Sequence, residues 1–309
     1  MKRRADSDQA RATRHVVVWG GVLVAALFVF VAAAPLFAVH DPLSADLSAV
    51  NQPPSAEYPL GTDAIGRCIY CRILDGMQAS LFAALAVVVL CFVIGSIVGA
   101  VSGYVGGALD AVLSRVTDAF MAFPQLVLSI AVAGLLGGGL VNAIIALTVP
   151  GWTRFARLAR GQTLAVKGRT FVLAERAAGA SSLFIAVRHV LPNILPTLVV
   201  TAVLDVGATV LNLAGLSFLG LGAMPPAPEL GSMINQASST FSQAPWGVFA
   251  PGAALFIIVV VLNMFGDAVN DALVAQGTAQ AVPRSGGLTR RLASLRGAAG
   301  AKRPSDVAK

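Results

Sequence analysis

The chain has 309 residues, of which 56% are hydrophobic and only 12% are charged, and its mean hydropathy is +0.78. Soluble domains carry about a quarter charged residues, so this composition excludes an ordinary soluble protein and indicates a polytopic membrane protein. The net charge of +7 would suggest a nucleic-acid partner in a soluble protein, but the positions of the basic residues give another explanation here. The three cysteines are too few for a disulfide scaffold.

Several stretches are apolar and long enough to cross a bilayer as helices, which takes about 20 residues each. The six candidates are Val16–Ala38, Ala79–Val101, Ala111–Ala133, Leu140–Leu158, Asn193–Leu219 and Trp246–Phe265. The third and fourth share one uncharged stretch. We expect the glycines of Gly134–Asn142 to divide it, because clustered glycines disfavour a helix and favour a tight turn. The predicted fold class is therefore all-α, with six transmembrane helices.

The basic residues are concentrated in three segments. Five Lys and Arg precede Val16, seven lie in Gly151–Pro192 and seven follow Gly266, whereas Gly220–Pro245 holds none. Cytoplasmic loops are enriched in Lys and Arg, so we expect both termini and the 151–192 segment to be cytoplasmic. The predicted domains are a cytoplasmic tail of residues 1–15, a membrane domain of residues 16–273 and a disordered basic cytoplasmic tail of residues 274–309.

The 151–192 segment contains a short amphipathic helix with a face of small side chains. In "TFVLAERAAGAS", Phe171, Ala174 and Ala178 share one helical face, and Gly179 occupies the position where a left-handed residue ends a helix. Such a helix suits docking into a groove of another protein. The alternative is a helix lying on the bilayer surface, which requires large apolar residues on one face.

This segment resembles a known element. "ERAAGASSLFIAVRHVLPNILP" is similar to the cytoplasmic coupling loop, or EAA loop, of ABC-importer permeases. Four more blocks resemble, in order, those of the dipeptide, oligopeptide and nickel permeases: "YPLGTDAIGRCIYCRI" (Tyr58–Ile73), "GYVGGALDAVLSRVTDAFMAFPQLVLSI", "LSFLGLGAMPPAPELGSMI" (Leu216–Ile234) and "LNMFGDAVNDAL" (Leu262–Leu273). The resemblance covers about residues 16–273 and is specific to the second, C-type permease of these importers.

The resemblance implies a type I ABC-importer permease fold in the bacterial cytoplasmic (inner) membrane. It implies a second homologous permease, two cytoplasmic ATPase subunits and an external solute-binding protein as partners, and di- or oligopeptides or a related small solute as cargo. It implies no nucleic-acid partner and no catalytic residue. The chain contains no G-x-x-x-x-G-K-[ST] loop, so we expect separate chains to use ATP and Mg²⁺ and this chain to bind no cofactor.

The coupling loop is expected at about residues 159–192, with its helix at Arg169–Ser181. The residues expected to contact the ATPase are Phe171, Ala174, Glu175, Arg176, Ala178 and Gly179. One departure concerns the glutamate that usually lies six residues before the glycine, because Leu173 occupies that position here. Glu175 would have to supply any acidic contact from another face of the helix.

Asp205 lies within the fifth predicted span, where a charge is costly. One interpretation is an aspartate that is hydrogen-bonded across a helix interface or kept protonated. The other is that Asp205 lines the translocation path, and Asn212 lies seven residues further on the same face. Both interpretations remain open at this stage.

We expect His40–Gln78 to lie outside, because it holds two Lys and Arg against five acids. Within it, the block "YPLGTDAIGRCIYCRI" carries two cysteines, Cys68 and Cys71. Two cysteines are too few for a structural zinc site, so no metal site is predicted, and incidental thiols or a local disulfide remain possible. The block also matches the family at Gly61, Thr62, Asp63, Gly66 and Arg67. We expect these residues to support the external ends of the spans rather than to contact the solute.

Two other functions make different predictions. A self-sufficient secondary transporter or channel predicts internal repeats and paired broken helices, but residues 16–133 and 140–265 show no repeat. An intramembrane enzyme requires a nucleophile, a base or a metal set at membrane depth. The three histidines, His15, His40 and His189, all lie at span ends. Neither alternative accounts for the predicted docking helix.

Overall fold

The computed structural model describes residues 2–281, and the side chains of residues 18–270. The chain divides into two units, Val18–Asp267 and a second unit that combines the two chain ends. The fold given below is that of Val18–Asp267. The predicted N-terminal tail, residues 1–15, lies in a helix that begins at Lys2. The last helix continues to Ala281, into the predicted C-terminal tail. The rest of the predicted 274–309 tail lies outside the described residues.

The described residues are mostly helical and contain no β-strand. The helices are α1 (Lys2–Ala33), α2 (Ile69–Val105), α3 (Gly107–Met121), α4 (Gln125–Leu136), α5 (Leu140–Lys167), α6 (Thr170–Ala177), α7 (Ser182–Ile185), α8 (Leu191–Phe218), α9 (Leu230–Ser238) and α10 (Trp246–Ala281). Short 3₁₀ turns at Ala34–Phe37 and Leu47–Ala49 follow α1, and a π turn at Ala186–Val190 joins α7 to α8. This confirms the all-α prediction for the described part of the chain.

Helices α2 and α8 lie at the centre of the unit, because both contribute to its two apolar clusters. One cluster joins α2, α4, α5 and α8 around buried side chains such as Leu147, Phe155 and Leu213. The other joins α1, α2, α8, α9 and α10 around buried side chains such as Leu81 and Ile258. Many side chains elsewhere on these helices are large, apolar and exposed, as expected for surfaces that face lipid or partner subunits.

Helices α2 and α5 approach each other closely along a row of glycines. A β-carbon built on Gly99 would overlap the carbonyl oxygen of Ala156, and one on Gly103 would lie 2.8 Å from the carbonyl oxygen of Arg160. Gly95 faces α5 in the same way. The four-residue spacing places these glycines on one side of α2, which is how membrane helices bring their backbones together.

The predicted six spans are only partly recovered. Among the described residues, four helical segments are long and apolar enough to cross a membrane: Val18–Phe37, Ile69–Val105, Ser182–Phe218 and Trp246–Asn270. A fifth is possible if the pair α3 and α4 counts as one bent span. Helix α5, which contains the fourth predicted span, does not qualify; it carries arginines from Arg154 onward. The six-span topology and the orientation of the termini therefore remain predictions.

The third predicted span, Ala111–Ala133, is not a single helix. Helix α3 ends at Met121, α4 begins at Gln125, and the two are bent by 87°. Pro124 lies at the break and precedes the first residue of α4. A proline lacks an N–H and keeps the preceding residue out of the helical conformation, so Phe123 ends the helical path. The predicted division at the glycines is confirmed, because α4 ends at Leu136 and α5 begins at Leu140.

Residues 40–68 and 219–245 form one layer over the ends of α2, α8 and α10, which we call the cap. Arg67 Nε lies 2.7 Å from Asp63 Oδ2 and its Nη2 donates to Gln236 of α9 at 3.0 Å. The hydroxyl of Thr62 is buried and donates to the carbonyl of Ala49, and the Trp246 indole donates to the Thr62 carbonyl at 3.4 Å. These contacts agree with the predicted supporting role of the 58–73 block.

A buried carboxylate links the cap to α2. Glu229 is fully buried and accepts hydrogen bonds from the Ser80 hydroxyl at 2.9 Å and from the backbone N–H groups of Gly231 and Ser232. It therefore acts as the N-cap of α9, a position that satisfies otherwise unpaired N–H groups. The residue after it, Leu230, is also fully buried.

Candidate functional site

Helix α6 lies within the predicted coupling loop and ends as the sequence predicts. The N–H of Gly179 donates to the carbonyl of Arg176, and the N–H of Ala180 donates to the carbonyl of Glu175. Gly179 has φ +85°. This pair of bonds around a left-handed residue is a Schellman motif, so the helix stops after Ala177 and the chain turns toward α7.

Most of α6 is exposed. Val172 is its only buried residue and packs into the cluster around α5 and α8. Phe171 is 40% exposed and Leu173 is 50% exposed. The remaining residues of the predicted contact surface are exposed as well, namely Ala174, Arg176, Ala178 and Gly179. The helix is thus anchored by one buried side chain and presents a mixed apolar and basic surface.

Glu175 differs from the other predicted contact residues because it faces its own chain. Its Oε1 lies 3.7 Å from Nε2 of His189 in the π turn. The His189 ring also lies between two aromatic rings, Phe171 with centroids 6.1 Å apart and Phe184 with centroids 5.7 Å apart. The Glu175 side chain is nevertheless 41% exposed, and its predicted contact with an ATPase stays a prediction.

The connection from α6 to α8 is short and continuous. The Ser181 hydroxyl caps α7, and the backbone N–H of Phe184 donates to it at 3.3 Å. The following π turn ends with the N–H of Leu191 donating to the carbonyl of Ala186. Pro192 follows directly at the start of α8, where its missing N–H is tolerated. Only Ala178–Ser181, α7 and the π turn therefore separate α6 from the start of α8.

Three arginines spaced three residues apart on α5 pair with acids on other helices. Arg154 pairs with Asp205 of α8 at 2.6 Å, Arg157 with Asp118 of α3 at 3.0 Å, and Arg160 with Asp110 of α3 at 2.6 Å. The Arg160 pair is bidentate, with a second bond of 2.7 Å. Together these pairs join α5 to both α3 and α8.

Asp205 and Asn212 are the two predicted path residues. The Asp205 side chain is 17% exposed and its partner Arg154 is 57% exposed, so the pair lies at the edge of an accessible surface. Arg154 lines an open cleft of about 490 Å³ together with Arg157, Gln162 and Thr201. Asn212 is half-buried on the same helix. The hydrogen bond across a helix interface is thus observed for Asp205, and the path role of both residues remains a prediction.

Comparison with known proteins identifies the family. A family model matches residues 95–276, and its description is "binding-protein-dependent transport system inner membrane component". The chain belongs to this family. The matched range includes the coupling loop, the arginines of α5 and Asp205, and the predicted resemblance to ABC-importer permeases is confirmed.

Relatives of this permease match over most of its length. It is 39% identical over 258 residues to the probable D,D-dipeptide transport system permease protein DdpC of Escherichia coli K12, covering 84% of this chain and 87% of the relative. It is also 39% identical over 261 residues to the glutathione transport system permease protein GsiD of Escherichia coli O6:K15:H31. That match covers 84% of this chain and 86% of the relative. The permease is accordingly a multi-pass protein of the bacterial inner membrane, and a transport subunit rather than an enzyme.

The permease also shares a fold with a solved transporter. A chain of the MetNI methionine ABC transporter, in an inward-facing conformation, superimposes with a TM-score of 0.53 and 24% identity, covering 65% of this chain and 96% of that chain. A second crystal form of the same transporter gives a TM-score of 0.51 at 22% identity. At these identities the likeness concerns the fold alone.

The cap of the permease holds a group of side chains that sequence reasoning did not connect. Cys68 is the N-cap of α2, and its Sγ accepts from the N–H of Cys71 at 3.3 Å. The two Sγ atoms are 2.6 Å apart, and both residues are buried with free thiols. Burial raises the pKa of Cys68 to about 12. His40 lies beside them, and its separation of 28 positions from Cys68 in the sequence concealed this proximity.

The acids and arginines that pair across α3, α5 and α8 were also missed. Charge counting assigned the arginines of α5 to a cytoplasmic loop, where they serve only as an orientation signal. The sequence contained one signal for this pairing. The arginines of α5 are spaced three residues apart on a helix that begins apolar, which places their guanidinium groups on neighbouring turns. Two of their partners, Asp110 and Asp118, lie near opposite ends of α3, so nothing local indicated the pairing.

Proposed function

We propose that the permease forms one half of the translocation path of an ATP-driven importer, and that a second homologous permease forms the other half. An external solute-binding protein delivers the solute, and two cytoplasmic ATPase chains use ATP and Mg²⁺ to drive transport. The names of two relatives refer to D,D-dipeptides and glutathione. These names support a dipeptide, an oligopeptide or a glutathione-like compound as the solute.

The proposal includes an orientation. Both chain ends and α6 face the cytoplasm, where the ATPases lie, and the cap faces outward, where the binding protein docks. The distribution of Lys and Arg supports this assignment, since the 151–192 segment holds seven and Gly220–Pro245 holds none. The cap also contains the fully buried Glu229 and the Asp63–Arg67 pair, which give it a fixed shape suited to receiving another protein.

The observation that carries the proposal is the exposed face of α6. A helix of eight residues is too short to be stable alone in water, and α6 is anchored through Val172 while Phe171 and Leu173 remain largely exposed. Its small residues, Ala174 and Ala178, allow a partner surface to approach the backbone. This is the arrangement expected of a helix that inserts into a groove of a separate protein.

The contacts around α6 support the proposal that movement of α6 is transmitted to helices α5 and α8. Val172 packs in the same cluster as Val166 of α5, Ile185 of α7 and Leu198 of α8. A push on α6 by the closing ATPases therefore acts on α5 and α8 together. These two helices carry the Arg154–Asp205 pair beside the cleft. A rigid-body movement of α5 and α8 alternates access to the path between the two sides of the membrane.

The test is purification of the tagged permease in mild detergent, from cells that express its neighbouring transport genes, followed by native mass spectrometry and reconstitution into liposomes. The expected assembly contains a second permease and two ATPase chains, and uptake of labelled dipeptides or glutathione requires ATP and the binding protein. A permease that purifies alone and transports without ATP would instead be a secondary transporter or channel, and would overturn the proposal.

A further inference from the structure

The cap brings three metal-ligating side chains together from two distant parts of the sequence. One imidazole nitrogen of His40 and the Sγ atoms of Cys68 and Cys71 all lie within 4.8 Å of one another. His40 follows the 3₁₀ turn that ends α1, whereas Cys68 and Cys71 lie at the first turn of α2. The three ligands therefore join the end of one membrane helix to the beginning of the next.

These side chains already lie close together in the absence of an ion. Cys68 and Cys71 are buried, and the hydrogen bond from the Cys71 N–H fixes the Cys68 sulfur at the helix start. The His40 ring stacks on Tyr58 with centroids 5.0 Å apart. Its Nδ1 is buried and has no hydrogen-bond partner among the described residues. A buried polar atom without a partner is costly, and a metal bond at the imidazole would relieve that cost.

We propose that His40, Cys68 and Cys71 form a metal site that binds a thiolate-preferring ion, Zn²⁺ or Cu⁺. Two cysteine sulfurs and an imidazole are the ligands that these ions prefer, whereas Mg²⁺ and Ca²⁺ prefer oxygen ligands. Binding displaces the protons of both thiols, which leave as two H⁺, and forms two metal–sulfur bonds and one metal–nitrogen bond. With Zn²⁺, a water molecule or a cap oxygen completes four-fold coordination.

The thiols must separate when the ion binds. Zinc–sulfur bonds of about 2.3 Å at a tetrahedral angle hold two sulfurs about 3.8 Å apart, compared with 2.6 Å between Cys68 and Cys71 in this structure. Rotation of one cysteine side chain supplies this difference, because the spacing of three residues in the first turn of a helix keeps both thiols on one side. The site acts as a structural clamp within the cap and needs neither the ATPases nor a solute.

The principal rival is a disulfide between Cys68 and Cys71. It would leave His40 without a role and would remove two hydrogen atoms from the chain. The intact mass of the non-reduced protein separates the two cases, because a disulfide lowers that mass by about two daltons while two thiols do not. A protein isolated without reductant that shows this lower mass and takes up no ion after reduction contradicts the proposal.

The experiment uses the full chain in detergent, reduced with a phosphine and freed of metal. Co²⁺ is added first as a spectroscopic probe, then Zn²⁺ and Cu⁺ are titrated and bound metal is counted by mass spectrometry. The expected result is one equivalent per chain, a thiolate-to-cobalt charge-transfer band in the near ultraviolet, and a higher melting temperature with Zn²⁺, as binding to the folded state requires. The absence of the band in the wild-type chain overturns the proposal without any variant.

Variants identify the ligands. His40→Ala, Cys68→Ser and Cys71→Ser should each weaken Zn²⁺ binding at least about ten-fold, because even the loss of a group that only supports a ligand costs about 10–100-fold in metal affinity. The matched control is Cys91→Ser, because Cys91 is a buried free thiol of the same helix outside the cluster, and it should bind like the wild type. Equal loss in Cys91→Ser, or unchanged binding in His40→Ala, would contradict the proposed ligand set.

Discussion

Arg154 Nη1 and Asp205 Oδ1 are 2.6 Å apart, and this pair links α5 to α8 at the edge of the cleft. The arginine side chain is 57% exposed and the carboxylate is 17% exposed. A charge within a membrane span is costly when it is unpaired, so the arginine explains why an aspartate is tolerated on α8. The exposure of the arginine in turn leaves the pair accessible from the cleft.

The first prediction concerns this pair. Asp205→Asn removes the negative charge while preserving the shape of the side chain. We expect ATP-dependent uptake to fall about ten-fold or more, because Arg154 is then uncompensated beside the path. We expect only a modest fall in melting temperature, since the freed Arg154 side chain is 57% exposed and can be hydrated. Initial uptake rates in liposomes at several pH values, together with thermal unfolding in detergent, give the measurement.

The matched control for Asp205 is Asp118→Asn. Asp118 pairs with Arg157, also on α5, but both side chains are more than half exposed, at 62% and 57%. Because water can replace this exposed pair, its loss should lower uptake less than Asp205→Asn does. Unchanged uptake of Asp205→Asn across the pH range would assign Asp205 a structural role only. Recovery of uptake in the double variant Arg154→Asp, Asp205→Arg would show that the pair itself is required.

The second prediction concerns the packing of α2 on α5. Gly99→Val should destabilise the permease by about 3 kcal/mol or more, because its side chain would overlap the carbonyl of Ala156 and push the helices apart. The expected readouts are a lower melting temperature and a lower level in the membrane. Gly134→Val is the control, since nothing lies within 4 Å of a β-carbon at that glycine. Equal stability of the two variants would refute the close approach.

Local chemistry made some elements predictable from the sequence. The end of α6 at Gly179 follows from a glycine after an alanine-rich run, and the division between α4 and α5 follows from clustered glycines. Pro124 was interpreted as too weak a break to divide the third span, because a proline within an apolar stretch is tolerated in many membrane helices. Its 87° bend depends on how α3 and α4 pack, and no local pattern encodes that.

Long-range pairs could not be predicted from the sequence. Asp205 was conspicuous because it is charged within an apolar stretch, yet its partner Arg154 lies 51 positions away on another helix. The cluster of His40 with Cys68 and Cys71 was invisible for the same reason, because only the fold brings the end of α1 to the start of α2. In both cases part of the group was conspicuous in the sequence, but only the tertiary structure shows which residue it contacts.

The third prediction concerns the reactivity of Cys68. Burial raises the pKa of this thiol from 9.0 to about 12, so at pH 8 its thiolate fraction falls about 1,000-fold below that of a free thiol. We expect the metal-free native protein to resist maleimide at Cys68 and to react once unfolded in detergent such as SDS. Cys91→Ser simplifies the mass-spectrometric assignment. Rapid labelling of the native protein at Cys68 would contradict the buried, protonated thiol.

The same pKa shift predicts how stability depends on pH. The folded-state pKa lies above the unfolded value, so the neutral thiol is favoured in the fold. The contribution of Cys68 is therefore fully present below about pH 9 and is lost as pH rises toward 12. The measurement is the melting temperature of the metal-free wild type and of Cys68→Ser at several alkaline pH values. The difference between the two melting temperatures should change between about pH 9 and pH 12. A difference that is independent of pH from 8 upward would exclude this linkage.

The fourth prediction concerns coupling through α6. Gly179 has φ +85°, a conformation that costs a β-branched residue about 1–2 kcal/mol or more. Gly179→Val should therefore disturb the Schellman turn and the angle at which α6 is presented. Because 1–2 kcal/mol corresponds to about a 5- to 30-fold change in an equilibrium, we expect ATP-dependent uptake to fall by that factor at a normal membrane level. A fall in uptake alone does not separate a coupling defect from a folding defect.

Gly168→Val distinguishes the two possibilities. Gly168 ends α5 next to the same loop, but it has φ −84°, and the nearest atoms to a β-carbon added there are 4.0 Å away. The substitution adds the same isopropyl group without backbone strain, so its uptake should stay near the wild-type value. Retention of ATPase binding by Gly179→Val in a pull-down, with loss of uptake, would indicate a failure to transmit motion. Normal uptake in Gly179→Val would remove α6 from the coupling route, since straining the turn would then have no effect on transport.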